Sequence, residues 1–246
     1  MLGLTQSYIT PYALTMNANT QQVGLLTSVP NFTMAAAQFA APGLSEALGS
    51  RKAFVVRMAV MHALMWLPIL LIPYLFETHQ VLWLIGFVTL GTAFDAVLNP
   101  AWGSMMADLV PTRTRGRFFG LRNRITGLTS LVFTYVAGGI LQVLTGNTNL
   151  AFAIIFAGAM ASRLVSSYFL SQMYEPIGVP TEKGRHDGML TIARSLPFTN
   201  IGLFILLCTS INFTAALAAP FFSPYMLHDL RFSYICLLYT SDAADE

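Results

Sequence analysis

Long apolar segments separated by short polar or basic turns are the strongest pattern in this sequence. Residues 1–45 carry no charged side chain, and the polar stretch NANTQQ (17–22) divides them into two segments. A helix needs roughly 20 residues to cross a hydrocarbon core of about 30 Å, and lipid accepts only backbone that satisfies its own hydrogen bonds. The pattern therefore predicts an all-α membrane protein with seven helices, which we number 1 to 7. Helix 1 ends near Met16, helix 2 follows NANTQQ, and helices 3 to 7 lie at 53–76, 81–107, 125–146, 149–174 and 197–227.

The low proportion of charged residues excludes most soluble classes of protein. Only 10% of the residues are charged, against about 25% in soluble domains. A soluble helical protein would also need polar helix faces at a period of 3.6 residues, and these segments lack them. The net charge of +2 is small for a nucleic-acid-binding protein, and Cys208 and Cys236 show no metal-ligand spacing. We therefore expect no nucleic-acid partner, no metal site and no cofactor.

Basic side chains gather on one side of the predicted membrane. The turns NANTQQ, ETHQ (77–80) and TGNTN (145–149) hold no lysine or arginine. Lysine and arginine favour the cytoplasmic side of a membrane. We therefore expect an integral protein of a bacterial inner (plasma) membrane, with the loops after even-numbered helices in the cytoplasm. Eleven of the 13 basic residues follow helices 2, 4 and 6: Arg51, Lys52, Arg57, Arg113, Arg115, Arg117, Arg122, Arg124, Lys183, Arg185 and Arg194.

The turns after helices 2 and 4 read PGLSEALGSRK (42–52) and ADLVPTRTRGRFFG (107–120). Both place a carboxylate near the end of one helix, then a small turn, then basic residues that open the next helix. This arrangement resembles the loops of the major facilitator superfamily of secondary transporters, although Pro42, Ala47 and Ser50 depart from the signature after helix 2. The glycines of the second turn are also typical of close helix packing. The resemblance implies a conformational-gate motif formed by Glu46, Gly49, Arg51, Lys52, Asp108, Arg115, Gly116 and Gly120.

The pentapeptides TPYAL (10–14) and SPYML (223–227) are similar and lie 213 positions apart. The superfamily is built from two parallel six-helix halves, so the resemblance implies such an echo between helices 1 and 7. It also implies a six-helix N-terminal bundle, with helix 1 clipped, followed by the first helix of the C-terminal half. The parent carrier would have roughly 400–450 residues.

These boundaries divide the chain into four parts. We expect the N-terminal bundle at 1–174, and a cytoplasmic linker with a short amphipathic helix at 175–196. Helix 7 would begin the second half at 197–234. The last part, 235–246, contains CLLYTSDAADE (236–246), which resembles the translation of a sequencing adaptor, and we expect it to be foreign to the native protein.

Two charged residues lie at membrane depth. Asp95 and Arg163 each stand 14 positions into helices that start on the same side, and thus about 21 Å down at 1.5 Å per residue. Charges at such depth are costly unless they are paired or face a cavity, and equal depth permits an ion pair. One interpretation makes Asp95 a carboxylate that couples protons or binds substrate. The other makes the pair a structural clasp within the bundle.

Uncharged polar side chains on helices 1, 4 and 7 are further candidates, because the resemblance places these helices around a central solute cavity. The same residue types also bond neighbouring helices in membranes. His62 has no second ligand nearby in sequence and is typical of a hydrogen-bonded core residue. The cavity candidates are Gln6, Tyr8, Tyr12, Asn99, Trp102 and Asn212.

These observations predict a secondary carrier that moves a small solute across the membrane by alternating access. Its partners would be the solute, the lipid bilayer and, if transport is coupled, a proton or another cation. The alternative is a membrane-embedded enzyme or a non-transporting scaffold. The sequence has no HExxH or GxSxG motif and no paired metal ligands, so we expect no enzymatic activity.

Overall fold

The computed structural model describes residues 1–47, 50–174 and 199–226, which are helical apart from short turns. The predicted linker (175–196), both ends of the segment predicted to contain helix 7 (197–198 and 227–234) and the predicted foreign tail (235–246) lie outside these residues. Within the described ranges there is no β-strand, so the all-α prediction is confirmed there. The helices are α1 (Leu2–Thr5), α2 (Ile9–Thr15), α3 (Thr20–Ala47), α4 (Arg51–Leu75), α5 (Gln80–Leu109), α6 (Thr112–Val143), α7 (Thr148–Gln172) and α8 (Asn200–Pro224).

Four of the described helices, α4 to α7, are long and apolar enough to cross a membrane. Helix α3 has the length but carries Thr27, Ser28 and Asn31 in its middle, and it does not reach the same apolarity. In α8 the described apolar stretch is the shorter Gly202–Leu217. The long apolar helices agree with the predicted membrane bundle.

Predicted helix 1 is two short helices. Residues 6–8 form turns between α1 and α2, and Pro11 stands in the first turn of α2. Proline has no N–H to donate to the preceding turn, and the first turn of a helix is where that loss costs least. The break therefore relieves a cost that one continuous helix would carry.

Helix α6 begins at Thr112, not at 125 as predicted. Arg113, Arg115 and Arg117 therefore lie on helical turns, and the prediction that they form a loop was wrong. Arginine has a high helix propensity, and Pro111 holds φ at −55° directly before the helix, so the helix extends beyond its apolar part. The connection from α5 is reduced to residues 110–111.

An aromatic cluster joins α2, α4 and α7 in the core. The ring centroid of Tyr12 lies 4.9 Å from those of Phe152 and Phe156, and Trp66 lies 5.4 Å from Phe156. The Tyr12 hydroxyl donates to the carbonyl of Ile69 at 3.1 Å. That carbonyl has no helical partner because the residue four positions on is Pro73. Tyr12 thus satisfies a backbone group that lipid could not.

Helix α1 crosses α6 at very short range. The Thr134 hydroxyl donates to the carbonyl of Gly3 at 3.0 Å, and the Tyr8 hydroxyl donates to the carbonyl of Thr134 at 2.6 Å. A Cβ atom added at Gly3 would stand 2.0 Å from the backbone oxygen of Ser130. Only glycine permits this approach of two backbones.

We expect Gly3→Ala to push α1 away from α6 and to lower the free energy of unfolding by about 1–3 kcal/mol, because the clashing atom belongs to rigid backbone. Unfolding of the purified chain in mixed micelles, followed by circular dichroism, measures this. Gly139→Ala is the matched control, since no atom lies within 4 Å of a Cβ there and alanine favours the helix. Equal stability of the two variants would contradict the close crossing.

Candidate functional site

Four polar side chains meet inside the bundle around Asp95. Its Oδ1 forms an ion pair with Nη2 of Arg163 and lies 3.2 Å from Nδ1 of His62. Asn99, one turn further along α5, places its Nδ2 at 3.3 Å from Oδ2 of Asp95 and donates to the backbone oxygen of Asp95 at 2.8 Å. Both carboxylate oxygens are therefore engaged. We call these four residues the Asp95 cluster.

Close packing of α4 on α5 brings His62 to the cluster. A Cβ atom added at Gly91, one turn before Asp95, would lie 3.5 Å from Met65 and 3.6 Å from the ring of His62. Both distances are ordinary van der Waals contacts, so α4 packs directly on α5 at the level of His62. Helix α7 also packs on α4 and brings Arg163 to the same carboxylate. Helices α4, α5 and α7 thus each place one ionisable side chain in the Asp95 cluster. Histidine is charged only when both ring nitrogens carry protons.

The Asp95 carboxylate is the most accessible member of the charged trio. Its side chain is 37% exposed, whereas the side chains of Arg163 and His62 are 17% and 10% exposed. Asp95 lines a cavity of about 430 Å³ that is bounded mainly by α5, α6 and α7, with His62 of α4 and Gly3 of α1 also in its lining. Ligand pockets are typically about 300–1,000 Å³, so the space suits a small solute.

A second guanidinium enters the cavity from α6. The Cζ atom of Arg122 lies 4.4 Å from the ring centroid of Trp102, and the Trp102 ring packs edge-to-face against Phe119 at 6.3 Å. A guanidinium over an indole face is a favourable cation–π contact. Arg122 and Trp102 line the same cavity as Asp95 and Arg163.

The structure brings together four of the eight predicted substrate or coupling candidates, the two charged residues and two of the six uncharged ones, and separates the rest. Asp95, Arg163, Asn99 and Trp102 line the cavity. The other four candidates are not among its described lining residues: Tyr8 and Tyr12 are buried and bonded to backbone carbonyls, Gln6 is exposed in the turn after α1, and Asn212 donates to the carbonyl of Cys208 on an exposed face of α8.

Among the ionisable side chains that line the cavity, sequence reasoning missed two, His62 and Arg122. His62 was expected to be a bonded core residue, and it is buried and bonded, but its partner is Asp95. Arg122 was read only as part of the basic cluster, because predicted helix 5 began after it. Trp102 lies eight residues before Val110, and Arg122 lies eleven residues after Pro111. Because α6 starts at Thr112, these positions place the two side chains at comparable distances from the turn on neighbouring helices.

The basic end of the bundle carries a second set of contacts. Nη1 of Arg51 donates to Oδ2 of Asp108 at 2.8 Å and to the Ser104 hydroxyl at 2.9 Å. Nη2 of Arg115 donates to the carbonyl oxygens of Ala107 at 2.8 Å and Val110 at 3.4 Å. The last carbonyls of a helix lack intrahelical donors, so Arg115 caps α5 from α6.

These contacts place most of the predicted gate residues. The start of α4 and the end of α5 meet through Arg51 and Asp108, so the two motif-bearing turns lie at the same end of the bundle. Lys52 is half-buried beside Arg51 at the start of α4. Gly116 and Gly120 face open space within the described chain, so no close packing depends on them there. The Glu46 side chain and Gly49 lie outside the described residues.

No metal-binding group is present in the described ranges, where no three His, Cys, Asp or Glu side chains cluster. A family model described as Major Facilitator Superfamily matches residues 1–241. Neither a curated protein nor a solved structure matches the chain.

Proposed function

The chain belongs to the major facilitator superfamily, whose members are membrane transporters, and from that premise we propose that it is a secondary carrier for a small solute. The proposed mechanism is alternating access, in which a site near the middle of the membrane opens to one side at a time.

The observation that carries the proposal is the cavity beside the Asp95 cluster. Ionisable side chains at membrane depth are costly and tend to mark pathways for ions or substrates. Here a carboxylate, two guanidiniums and an imidazole line one space of about 430 Å³. An inert scaffold would not need charges that face an open cavity.

We propose that Asp95 is the coupling carboxylate. It alternates between its ion pair with Arg163 and a released state in which it takes up a proton or faces the solute. Its greater exposure relative to Arg163 and His62 supports access from the cavity. The structural-clasp interpretation is supported by the ion pair itself, and the two interpretations predict different results for substitution of Asp95.

We further propose that Arg51, Asp108 and Arg115 act in a conformational gate at the basic end, together with Lys52, Gly116, Gly120, Glu46 and Gly49 of the same turns. The contacts from Arg51 to Asp108 and Ser104 close that end between α4 and α5. Opening the cavity toward the cytoplasm would require these partly exposed bonds to break. Exposed ion pairs contribute roughly 0–1 kcal/mol, so the gate would open at low cost.

The proposed orientation predicts a labelling pattern. We expect Ser50→Cys and Thr112→Cys to react with an impermeant maleimide only after cells are permeabilised, since basic loops stay in the cytoplasm. Thr78→Cys and Gly146→Cys should react in intact cells. Each variant also carries Cys208→Ser and Cys236→Ser, which remove both cysteines of the sequence. Labelling of positions 50 and 112 from opposite faces would contradict the architecture.

Transport itself is tested with the protein of the complete reading frame in proteoliposomes. A carrier should show saturable uptake and counterflow of a labelled solute from a panel of small anions, sugars and amines. Flux that rises linearly with concentration would indicate a channel, and the absence of flux across the panel would favour a scaffold or an enzyme.

A further inference from the structure

The charges that line the cavity do not balance. The ionisable side chains among its described lining residues are Asp95, Arg163, Arg122 and His62. The Asp95–Arg163 ion pair cancels one positive and one negative charge. Arg122 then remains as a cation with no described acidic partner, since its described contacts are the Trp102 ring and one long hydrogen bond, 3.3 Å, to Oδ1 of Asn123.

A cationic solute would find no free anion in this space. Oδ1 of Asp95 is held by Arg163 and His62, and Oδ2 lies 3.3 Å from Nδ2 of Asn99. An entering ammonium group would have to displace these donors and would also meet the uncompensated charge of Arg122. Both effects disfavour a cation.

An anionic solute finds donors that are already oriented. The Trp102 ring covers one face of the Arg122 guanidinium and leaves its N–H edges for a planar acceptor. Nη2 of Arg163 donates to Oδ1 of Asp95, whereas Nη1 has no hydrogen bond within the described chain. Guanidinium groups bind carboxylate and phosphate oxygens by paired, charge-assisted hydrogen bonds. The hydroxyls of Thr126, Thr129 and Ser166 line the same space.

We infer that this cavity binds a small organic or inorganic oxyanion, with a carboxylate or phosphate group held by Arg122 and steered by Arg163. The inference rests on the proposed carrier function, whose substrate class it names. Paired, charge-assisted guanidinium–oxyanion contacts give orientation as well as affinity. The Trp102 ring holds the arginine in place before the solute arrives, so less side-chain entropy is lost on binding.

Tryptophan fluorescence offers a local test, because the Trp102 ring contacts Arg122, the residue that we propose binds the oxyanion. The chain has three tryptophans, so a Trp66→Phe/Trp83→Phe background leaves Trp102 as the only indole. We expect succinate and inorganic phosphate to give saturable changes in its emission when added to the full chain in a neutral detergent. Choline chloride at equal ionic strength and glucose should give none.

Substitution of Arg122 should remove the response selectively. We expect Arg122→Gln to weaken apparent affinity for succinate or phosphate about tenfold or more, as one charge-assisted hydrogen-bonded contact predicts. Arg122→Lys keeps the charge without the planar fork and should weaken it less. Arg124→Gln is the matched control: it removes one arginine from the same helix outside the cavity lining and should leave affinity unchanged.

Several results would overturn the inference. They are a response to choline chloride or glucose equal to that for succinate, no response to either oxyanion, and full affinity in Arg122→Gln. Phosphatidylglycerol micelles that alone produce the change and block succinate would show that the site holds a lipid phosphate rather than a solute. Saturable oxyanion binding without transport would support this site while removing the carrier proposal. Saturable transport of a sugar or an amine would support the carrier proposal and contradict the oxyanion site.

Discussion

An Asp95→Asn variant is expected to reach the membrane and fold, yet lose proton-driven uptake to background. The amide keeps the shape of the side chain and its bond with Asn99, but it cannot bind and release a proton near neutral pH. It also leaves Arg163 without its anion. Breaking a buried ion pair costs about 3–5 kcal/mol, and the 37% exposure of Asp95 should keep the loss of stability below that range. Uptake into proteoliposomes under an imposed proton gradient measures the effect.

Glu77→Gln provides the matched control for this experiment. Glu77 is an exposed carboxylate in the turn between α4 and α5, so its neutralisation should not change uptake. An Asp95→Asn/Arg163→Gln double variant separates the two interpretations of the pair. If Asp95 is a coupling group, the double variant regains stability without regaining uptake. Unchanged uptake in Asp95→Asn alone would dismiss the coupling role and leave the clasp.

A Phe156→Ala variant is expected to lose about 3 kcal/mol of stability, the largest effect we expect from a single core substitution. Phe156 is fully buried and contacts the rings of Tyr12, Trp66 and Phe152. Phenylalanine-to-alanine changes in soluble cores cost about 3–5 kcal/mol. The lower end applies here because a side chain released from a membrane core enters lipid rather than water, so lost packing dominates.

Unfolding of the purified chain in mixed micelles, read by circular dichroism, measures that loss. Phe169→Ala, on the same helix but 65% exposed, is the control and should change stability by no more than about 0.5 kcal/mol. Equal losses at the two positions would show that the aromatic cluster does not hold α2, α4 and α7 together.

The sequence was sufficient to locate the long apolar helices α4, α5 and α7 and to show that Asp95 and Arg163 lie at a depth that permits an ion pair. Apolar length fixes where a chain can cross lipid, and the constant rise of 1.5 Å per residue turns sequence position into depth. Predicted helices 4 and 6 start on the same side of the membrane, and Asp95 and Arg163 each lie 14 positions from those starts. The two side chains are therefore expected at the same depth. His62 belongs to a helix that runs in the opposite direction, and it lies 14 positions before the end of predicted helix 3 at residue 76, so counting from that end would have placed it at the same depth.

Other features depend on packing that a single sequence does not encode. Pro73 shows that the carbonyl of Ile69 lacks its helical partner, but not that the Tyr12 hydroxyl supplies the donor. Tyr12 therefore looked like a cavity residue and lies in the core. Arg122 was missed for a different reason: the apolar segment starts after it, whereas the helix itself starts at Thr112. Hydropathy marks where lipid begins, and helix propensity decides where the helix begins.

Arg115 has a mechanical consequence for α5 and α6. The two helices are joined at one end twice, by the short peptide at 110–111 and by the bonds from Arg115 to the last carbonyls of α5. Two helices that are joined at one end can separate most at their opposite ends. If α6 tilts away from α5 as a rigid body, the pivot lies beside Arg115. The distance between the two helices then increases less at Trp102 and Arg122 than at the ends of the helices remote from Arg115.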